Sequence, residues 1–334
     1  MSEEFLIEPK IWPFLRLFLH SQLFRTPQSP TQSFADQTVI VTGANVGLGL
    51  EAARHFYRLN CAKLILAVRT VSKGQSAKED ILQSVKHRTE ADAIEVWNLD
   101  LTSSESTVSF AGRVEKELPR VDMLVESAGI HNKNRAVSEG TEQTMQVNVI
   151  NTFLLALLIL PKRAETAKFA KSLPHLTIIN APDIYESLDD EKDYNGQSSY
   201  EISKLIQILF VRELVSRTIA RTSPSPPVTI NLVNPGLCIS ALSTRNEKPF
   251  STRFIESIIY KIIGRTTEVG SQTLVLGASA GPTSHGEYMS DGRNQDVESW
   301  IYTDVGKEVQ KKVFEQTVKM LELRQPGIGH SVGL

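Results

Sequence analysis

Cysteine is nearly absent. The chain has two in 334 residues, Cys61 and Cys238, and neither sits at a metal-ligand spacing. That argues against a disulfide scaffold and for a reducing compartment. An excess of one charge is also missing. Lys and Arg number 36 against 38 Asp and Glu, a net charge of -2, which argues against nucleic acid as a partner. The seven histidines, at 20, 55, 87, 131, 175, 285 and 330, are scattered, so no metal site is expected. The N-terminus has no uninterrupted apolar span, because Glu8, Lys10, Pro13, Arg16 and His20 break up FLIEPKIWPFLRLFLHSQLF (5–24). From Ile11 to Phe24 the apolar residues fall partly at helical spacing, which predicts an amphipathic helix. Packing on the following domain is its expected role, and peripheral membrane contact is the alternative. The location implied is cytoplasmic, with membrane association through this helix as the variant.

What the chain does have is hydrophobic residues at 41%, enough for a packed core. After a Pro/Ser/Thr-rich linker at 26–33, short apolar strands alternate with helical stretches. Strands are predicted at 37–43, 62–69, 93–101, 121–129, 175–180 and 228–236. Helices are predicted at 50–60, 73–86, 104–118, 140–160 and 199–218. This order predicts an α/β fold, a doubly wound parallel sheet covered on both faces. No internal repeat is present, and SPSPP (223–227) is a loop. The organisation expected is an N-terminal helix and linker at 1–35, then one domain at 36–334.

VIVTGANVGLGLEAARHF (39–56) places glycines 43, 47 and 49 between a strand and a helix. Gly43 permits a tight turn, Gly47 lets backbone approach a phosphate, and Gly49 allows the helix to pack closely. At the first strand–helix junction of an alternating chain, this predicts dinucleotide binding. An acidic residue at the tip of the second strand would suit a ribose diol. Arg69 stands there, with Lys73 close behind, and a guanidinium suits a 2′-phosphate. NADP(H) is therefore expected over NAD(H), unless the two are ordinary solvated charges. Asp100, ending the third strand, is placed to accept the adenine amino group.

SSYEISK (198–204) puts Tyr200 and Lys204 four residues apart, on one helix face. A free phenol, with a pKa near 10, is a poor base at neutral pH, and a nearby ammonium favours its phenolate. The pair provides a proton donor and acceptor with its own adjuster.

With these residues, the stretch from about Gln37 to Ser290 resembles the short-chain dehydrogenase/reductase family. The resemblance rests on TGANVGLG (42–49), NLD (98–100), the AG of ESAGI (126–130), VNV (147–149), YEISK (200–204) and NPGLCIS (234–240). The N-terminal lead, EGTEQTMQVN and HGEYMSDG (285–292) are similar to its retinol-dehydrogenase-like branch, which includes fungal enzymes. The resemblance implies a Rossmann-type fold and hydride transfer between nicotinamide and a carbinol or carbonyl carbon. Tyr200 is then the acid/base, Lys204 holds the nicotinamide ribose, and Asn148 anchors a water in the proton relay. The cofactor would run over Gly43, Asn45, Gly47, Leu48 and Gly49, then Arg69, Lys73, Asp100 and Leu101. Ala128, Gly129, Pro235, Gly236 and Ser240 would complete its site.

Two departures stand out. The family's Asn-Asn-Ala-Gly is Glu126-Ser127-Ala128-Gly129 here, tolerable if the glutamate points away from the dinucleotide. The family's carbonyl-polarising serine belongs just after the fifth strand, where Pro182 and Asp183 stand. A carboxylate there repels a developing oxyanion unless protonated, which at neutral pH costs about 4 kcal/mol. Ser187 has the right chemistry but lies seven residues after Asn180, so it is the better of two incomplete substitutes. This altered strand end motivates an alternative function: a non-redox enzyme, such as an isomerase or cyclase, or a binding protein that retains the cofactor. An insertion at 240–264, rich in Phe and Ile, reads as a lid over an apolar small-molecule substrate or as a surface helix or subunit contact. The oligomeric state stays open.

Overall fold

The computed structural model describes residues 11–170, 173–179, 195–219, 227–239 and 260–331, with 11–15, 219 and 331 as backbone only. The chain begins with helix α1 (Ile11–Phe24), then strand β1 (Thr38–Thr42), α2 (Gly47–Arg58), β2 (Lys63–Val68) and α3 (Val71–Ser84). Strand β3 (Ile94–Asn98), α4 (Ser104–Glu117) and β4 (Met123–Glu126) follow. A ribbon of Val137–Ser138 with Thr141–Glu142 leads into the long helix α5 (Gln143–Ala167). Next come β5 (His175–Ile179), α6 (Gly196–Ile219) and β6 (Thr229–Asn234). The order continues with α7 (Thr267–Ala278), β7 (Tyr288–Ser290), β8 (Arg293–Gln295) and α8 (Asp304–Arg324), and a short helix at Ile328–Ser331 follows.

The strands form one sheet in the order β8-β7-β6-β5-β4-β1-β2-β3. Seven run parallel, and β8 turns back antiparallel on β7. β1 is flanked by β2 on one side and β4 on the other, so the strand order reverses there. In such a sheet the crevice beyond the carboxyl ends of β1 and β4 is where ligands bind.

The strands lack polar alternation because both faces are covered, and every residue of TVIVT in β1 is buried. On one face Ile40, Leu124 and Leu176 pack with Phe153 of α5, Phe210 of α6 and Phe314 of α8. The Phe210 ring centroid lies 3.9 Å from that of Phe153 and 4.8 Å from that of Phe314. Truncating such a side chain to Ala typically costs about 3–5 kcal/mol. On the other face Val39, Val41 and Val125 pack with Phe56 of α2, Ile81 of α3 and Leu274 of α7. α5 is long and apolar enough to cross a membrane, yet its apolar window is 78% buried in this core.

The expected fold class and strand–helix order hold, with shifted ends. α2 begins at Gly47 rather than 50, because the glycine turn runs directly into the first helical turn. β4 stops at Glu126, since Ser127 N bonds back to Val125 O at 3.1 Å instead of continuing the ladder. α5 runs to Ala167, past Pro161, and contains a π-helical turn at Gln146–Asn151. The predicted N-terminal helix is present at Ile11–Phe24 and is fastened to the C-terminal part of the chain. Ser21 Oγ donates to Asp291 Oδ2 at 2.7 Å. Arg265 pairs with Asp291 at 2.7 Å and donates to the carbonyls of Ser21 and Arg25, each at 3.0 Å. The Gln22 amide, oriented to suit its neighbours, donates to Ile263 O and accepts from Leu237 N, both at 2.9 Å.

Candidate active site

The glycine turn lies at the strand-order reversal. Gly43 and Gly47 adopt φ of +66° and +62°, a region that favours glycine. A Cβ on Gly43 would lie 2.9 Å from Ala128 Cα, and one on Gly49 would lie 2.6 Å from Gly43 O. A Cβ on Gly47 would meet nothing within 4 Å, so this glycine faces open space. Val46 caps α2 without a side-chain hydrogen bond, which leaves the first amides of the helix to an anion. Asn45 and Leu48, half-buried, complete the turn. A dinucleotide pyrophosphate fits this cradle, because the backbone is bare where it would approach and the helix dipole favours its charge.

Arg69 and Lys73 are exposed, at the end of β2 and on the first turn of α3. Asn98 Nδ2 donates to Arg69 O at 2.8 Å, which ties the tip of β2 to β3. Asp100 Oδ1 accepts from Thr102 N at 2.9 Å and Oγ1 at 2.8 Å, and its own amide donates to Ser106 Oγ. Leu101 is buried, with its carbonyl held by Asn151 Nδ2 at 2.8 Å. Ala128 N donates to Thr42 Oγ1 at 3.0 Å, and a Cβ on Gly129 would come 3.4 Å from Asn148 Oδ1.

Glu126 is buried at the end of β4, where its carboxyl interacts with Arg163 of α5, which is also fully buried. Neither carboxylate oxygen and none of the three guanidinium nitrogens has a hydrogen-bond partner. Burial pushes the Glu126 carboxyl well above its usual range and the Arg163 guanidinium down to about 9, and each opposes the other's shift. The two meet on the α5 side of the sheet, while Ser127 faces Gly49 of the glycine turn. The substitution of the family's asparagine thus points away from the phosphate turn.

Tyr200 and Lys204 lie on α6, with the Lys204 ammonium 5.5 Å from the centre of the Tyr200 ring. His131 lies against the same ring, with centroids 5.1 Å apart. Lys204 is buried, and Nζ donates to Ile179 O at 2.9 Å and Gln207 Oε1 at 3.2 Å. Burial lowers its ammonium from 10.5 to about 7. Asn148 lies in the π-turn of α5. Its side chain clasps the chain after β4, with Oδ1 accepting from Ile130 N and Nδ2 donating to Ile130 O, both at 2.9 Å. Nδ2 also donates to Ser203 Oγ at 3.1 Å. The main-chain oxygen of Asn148, the residue expected to anchor a water, accepts from Gln207 Nε2 at 2.6 Å and keeps a second lone pair.

After β6, Gly236 adopts φ +77° and its amide donates to Asn234 Oδ1 at 2.9 Å. Pro235 O accepts from Arg265 Nη1 at 3.3 Å. Arg265 thereby joins this loop to α1. Ser187, Asp183, Pro182 and Ser240 lie outside the described residues, as does the insertion from 240 to 259. The structure thus brings together Tyr200, Lys204 and Asn148, and separately the glycine turn with Ala128. Sequence reasoning missed Gln207, Ser203, Arg163 and Arg265. Only Gln207 carried a signal, its three-residue spacing from Lys204 on one helix face.

Comparison with known proteins bears on this arrangement. A family model described as short chain dehydrogenase matches residues 37–249. The short chain dehydrogenase/reductase dmxR8 of Cryptosporiopsis sp. (strain 8999) is 42% identical over 332 residues, covering 93% of this chain and 98% of the relative. The short chain dehydrogenase atnD of Emericella nidulans is 40% identical over 294 residues, covering 83% of this chain and 91% of the relative. Among solved structures, an NADP active-site complex of RhlG from Pseudomonas aeruginosa shares the fold. Its TM-score is 0.60 at 18% identity, over 79% of this chain and 97% of that one. Identity of this order along nearly the whole of both chains decides the family: the protein is a short-chain dehydrogenase/reductase of the fungal kind, an oxidoreductase that uses NAD(P) on a small molecule.

Proposed function

We propose that the protein is an NADP(H)-dependent oxidoreductase that interconverts a carbonyl and an alcohol on an apolar small molecule, with Tyr200 moving the proton. The observation that carries this reading is the buried Lys204 ammonium 5.5 Å from the Tyr200 ring, fixed by Ile179 O and Gln207. Bound NADP(H) supplies or accepts the hydride. The amides opening α2 and the turn of Gly43, Asn45, Gly47, Leu48 and Gly49 would hold its pyrophosphate. Arg69 and Lys73 would hold the 2′-phosphate, Asp100 and Leu101 the adenine end, and Lys204 the nicotinamide ribose. Ala128 and Gly129 would lie along the dinucleotide, with Pro235, Gly236 and Ser240 at the nicotinamide end. Support for the phosphorylated cofactor comes from the basic tip of β2 and from NADP in fold neighbours, RhlG and a short chain dehydrogenase of Shigella flexneri among them.

In reduction the Tyr200 hydroxyl gives its proton to the carbonyl oxygen, and in oxidation the phenolate takes one from the alcohol. The Lys204 charge favours the phenolate by Coulomb attraction, which is strong because the ammonium is shielded from water. Exposed Ile239 and Ile262, at the rim beyond β6, support an apolar substrate. The reading places the protein in the cytoplasm, with exposed Leu17, Leu23 and Phe24 of α1 available for peripheral membrane contact.

Tyr200→Phe tests the proposal. Turnover should fall about 10³-fold or more, while calorimetry shows NADPH affinity within a few-fold of the parent. Retained turnover would refute the role of Tyr200. Product formed without change in nicotinamide absorbance would favour the cofactor-retaining, non-redox alternative.

A further inference from the structure

We propose that Gln207 is a positioning residue of this site, a polar clamp that fixes the Lys204 ammonium against the main chain of the π-turn in α5. The inference rests on the reading of Tyr200 and Lys204 given above and extends it to a residue outside that pair. In a π-turn the i→i+5 pattern displaces carbonyls from the ordinary helical ladder, and side chains then take them up. That happens here at two consecutive residues. Thr152 Oγ1 donates to Val147 O at 2.9 Å, and Gln207 Nε2 donates to Asn148 O at 2.6 Å.

The second of these bonds fixes which way the amide faces. With Nε2 committed to a carbonyl, Oε1 must point the other way, and there it accepts from Lys204 Nζ at 3.2 Å. Reversing the amide would set oxygen against oxygen and nitrogen against ammonium. Gln207 and Lys204 are three residues apart on one face of α6 and are 2% and 4% exposed, so water does not replace either bond at low cost.

The clamp has rigid anchors at both ends. Asn148 is tied to the chain after β4 by two bonds to Ile130 and to α6 by one to Ser203. Lys204 is tied to the end of β5 through Ile179 O. A path of bonds therefore runs from Ile130 through Asn148, Gln207 and Lys204 to Ile179, spanning adjacent strand ends under Tyr200. A primary amide holds an ammonium but does not readily pass its proton on. Gln207 therefore orients Lys204 and stabilises its charge without opening a proton path through the π-turn. Among the described residues, the titratable groups at the cluster are Lys204 and Tyr200 on α6 and His131 over the Tyr200 ring.

The test reads Lys204 directly and needs no substrate. Protein carrying lysine labelled with carbon-13 at Cε is titrated by NMR, and the resonance missing from Lys204→Met assigns the signal. Gln207→Met removes the acceptor and should lower the Lys204 midpoint by about one unit, the scale of a buried hydrogen bond to a charge. Gln207→Glu keeps the size, replaces a neutral acceptor by a carboxylate, and should raise the midpoint by about as much. Calorimetry with NADPH should show roughly tenfold weaker binding to Gln207→Met, because Lys204 is no longer held toward the ribose. Midpoints that move in the same direction in both variants, or by less than roughly 0.3 unit, overturn the inference. If Gln207→Met does not fold, the upward shift in Gln207→Glu decides alone. Tyr200→Phe, assayed in parallel, keeps the two readings apart. Its retained turnover defeats the proposed function, whereas unmoved Lys204 midpoints beside an inactive Tyr200→Phe defeat only the clamp.

Discussion

Glu126 and Arg163 should respond asymmetrically to removal of either partner. Both are buried, and no hydrogen bond reaches their charged atoms. Removing one partner of a buried pair usually costs about 3–5 kcal/mol, because the other charge is left uncompensated. Here the two survivors differ. With Arg163→Met, the Glu126 carboxyl can take up a proton, a state it already approaches because burial holds it well above its usual range. The variant also removes three buried nitrogens that lack acceptors, so its net cost should stay within about 1 kcal/mol. With Glu126→Leu, Arg163 loses the carboxylate that opposes the lowering of its guanidinium to about 9. Its charge is then stranded in an apolar layer, and the full penalty applies. His175, which also feels Arg163, is itself lowered by burial and offers no compensating negative charge. A chain of 334 residues has an unfolding entropy of about 0.7 kcal/mol/K near its midpoint, so 3–5 kcal/mol corresponds to a fall in Tm of about 4–7 °C. The double variant Glu126→Leu/Arg163→Met should gain about 1–4 kcal/mol over the parent, a rise of about 1–6 °C. Calorimetric melts of the four proteins at pH 7 decide the matter. Were Arg163→Met as costly as Glu126→Leu, the pair would be a stabilising ion pair and the argument from unsatisfied groups would fail.

Arg69→Glu should weaken NADPH binding about 30-fold and leave NADH nearly unchanged, because a carboxylate repels the extra phosphate; calorimetry showing equal losses, or a parent that prefers NADH, refutes the assignment. Lys204 contributes a pH dependence to the cofactor-free protein. Its proton is lost near 7 in the folded state and near 10.5 in the unfolded state. The unfolded chain therefore binds more protons between those values, so the cost of burying Lys204 is complete below pH 7 and is relieved as pH rises. Urea melts of parent and Lys204→Met between pH 6 and 9 should show the parent gaining on the variant above pH 7. Ser187→Ala should lower turnover less than tenfold, since a lost oxyanion donor from a well-placed group costs about 10²–10³; a larger loss with intact cofactor binding would place Ser187 at the carbonyl.

The strand–helix alternation was readable because each parallel strand is a short buried apolar run, as in TVIVT and KLILAV. The glycine turn and the Tyr200–Lys204 spacing were readable because backbone geometry restricts which residues and intervals serve there. α7 was not readable. Its sequence TEVGSQTLVLGA is buried on most sides between the sheet and α2, so no polar stripe marks a helical period. The three-residue strands β7 and β8 are too short to show a pattern. Gln207 was hidden for another reason. A buried glutamine after a catalytic-looking lysine means nothing until the π-turn of α5, which no local sequence rule announces, brings Asn148 O within 2.6 Å. Glu126 was visible as an oddity, but its partner lies 37 residues away on another element and follows only from the packing.

The fastening of α1 to Asp291 and Arg265 has a consequence for synthesis of the chain. Ser21 and Asp291 are separated by 270 residues. At translation rates of about 5–20 residues per second, α1 waits about 14–54 s after it is made for that partner to be added. Through that interval only its bonds to the chain around Leu237, Ile263 and Arg265 can form, and the Ser21–Asp291 bond that completes the fastening comes last. The loop after β6 finds Gln22 already made when Leu237 is added, but it waits for Arg265 to reach Pro235 O. A ribosome stalled before residue 291 would therefore hold a nascent chain whose central strands can pair while the rim of its ligand crevice still lacks its fastening.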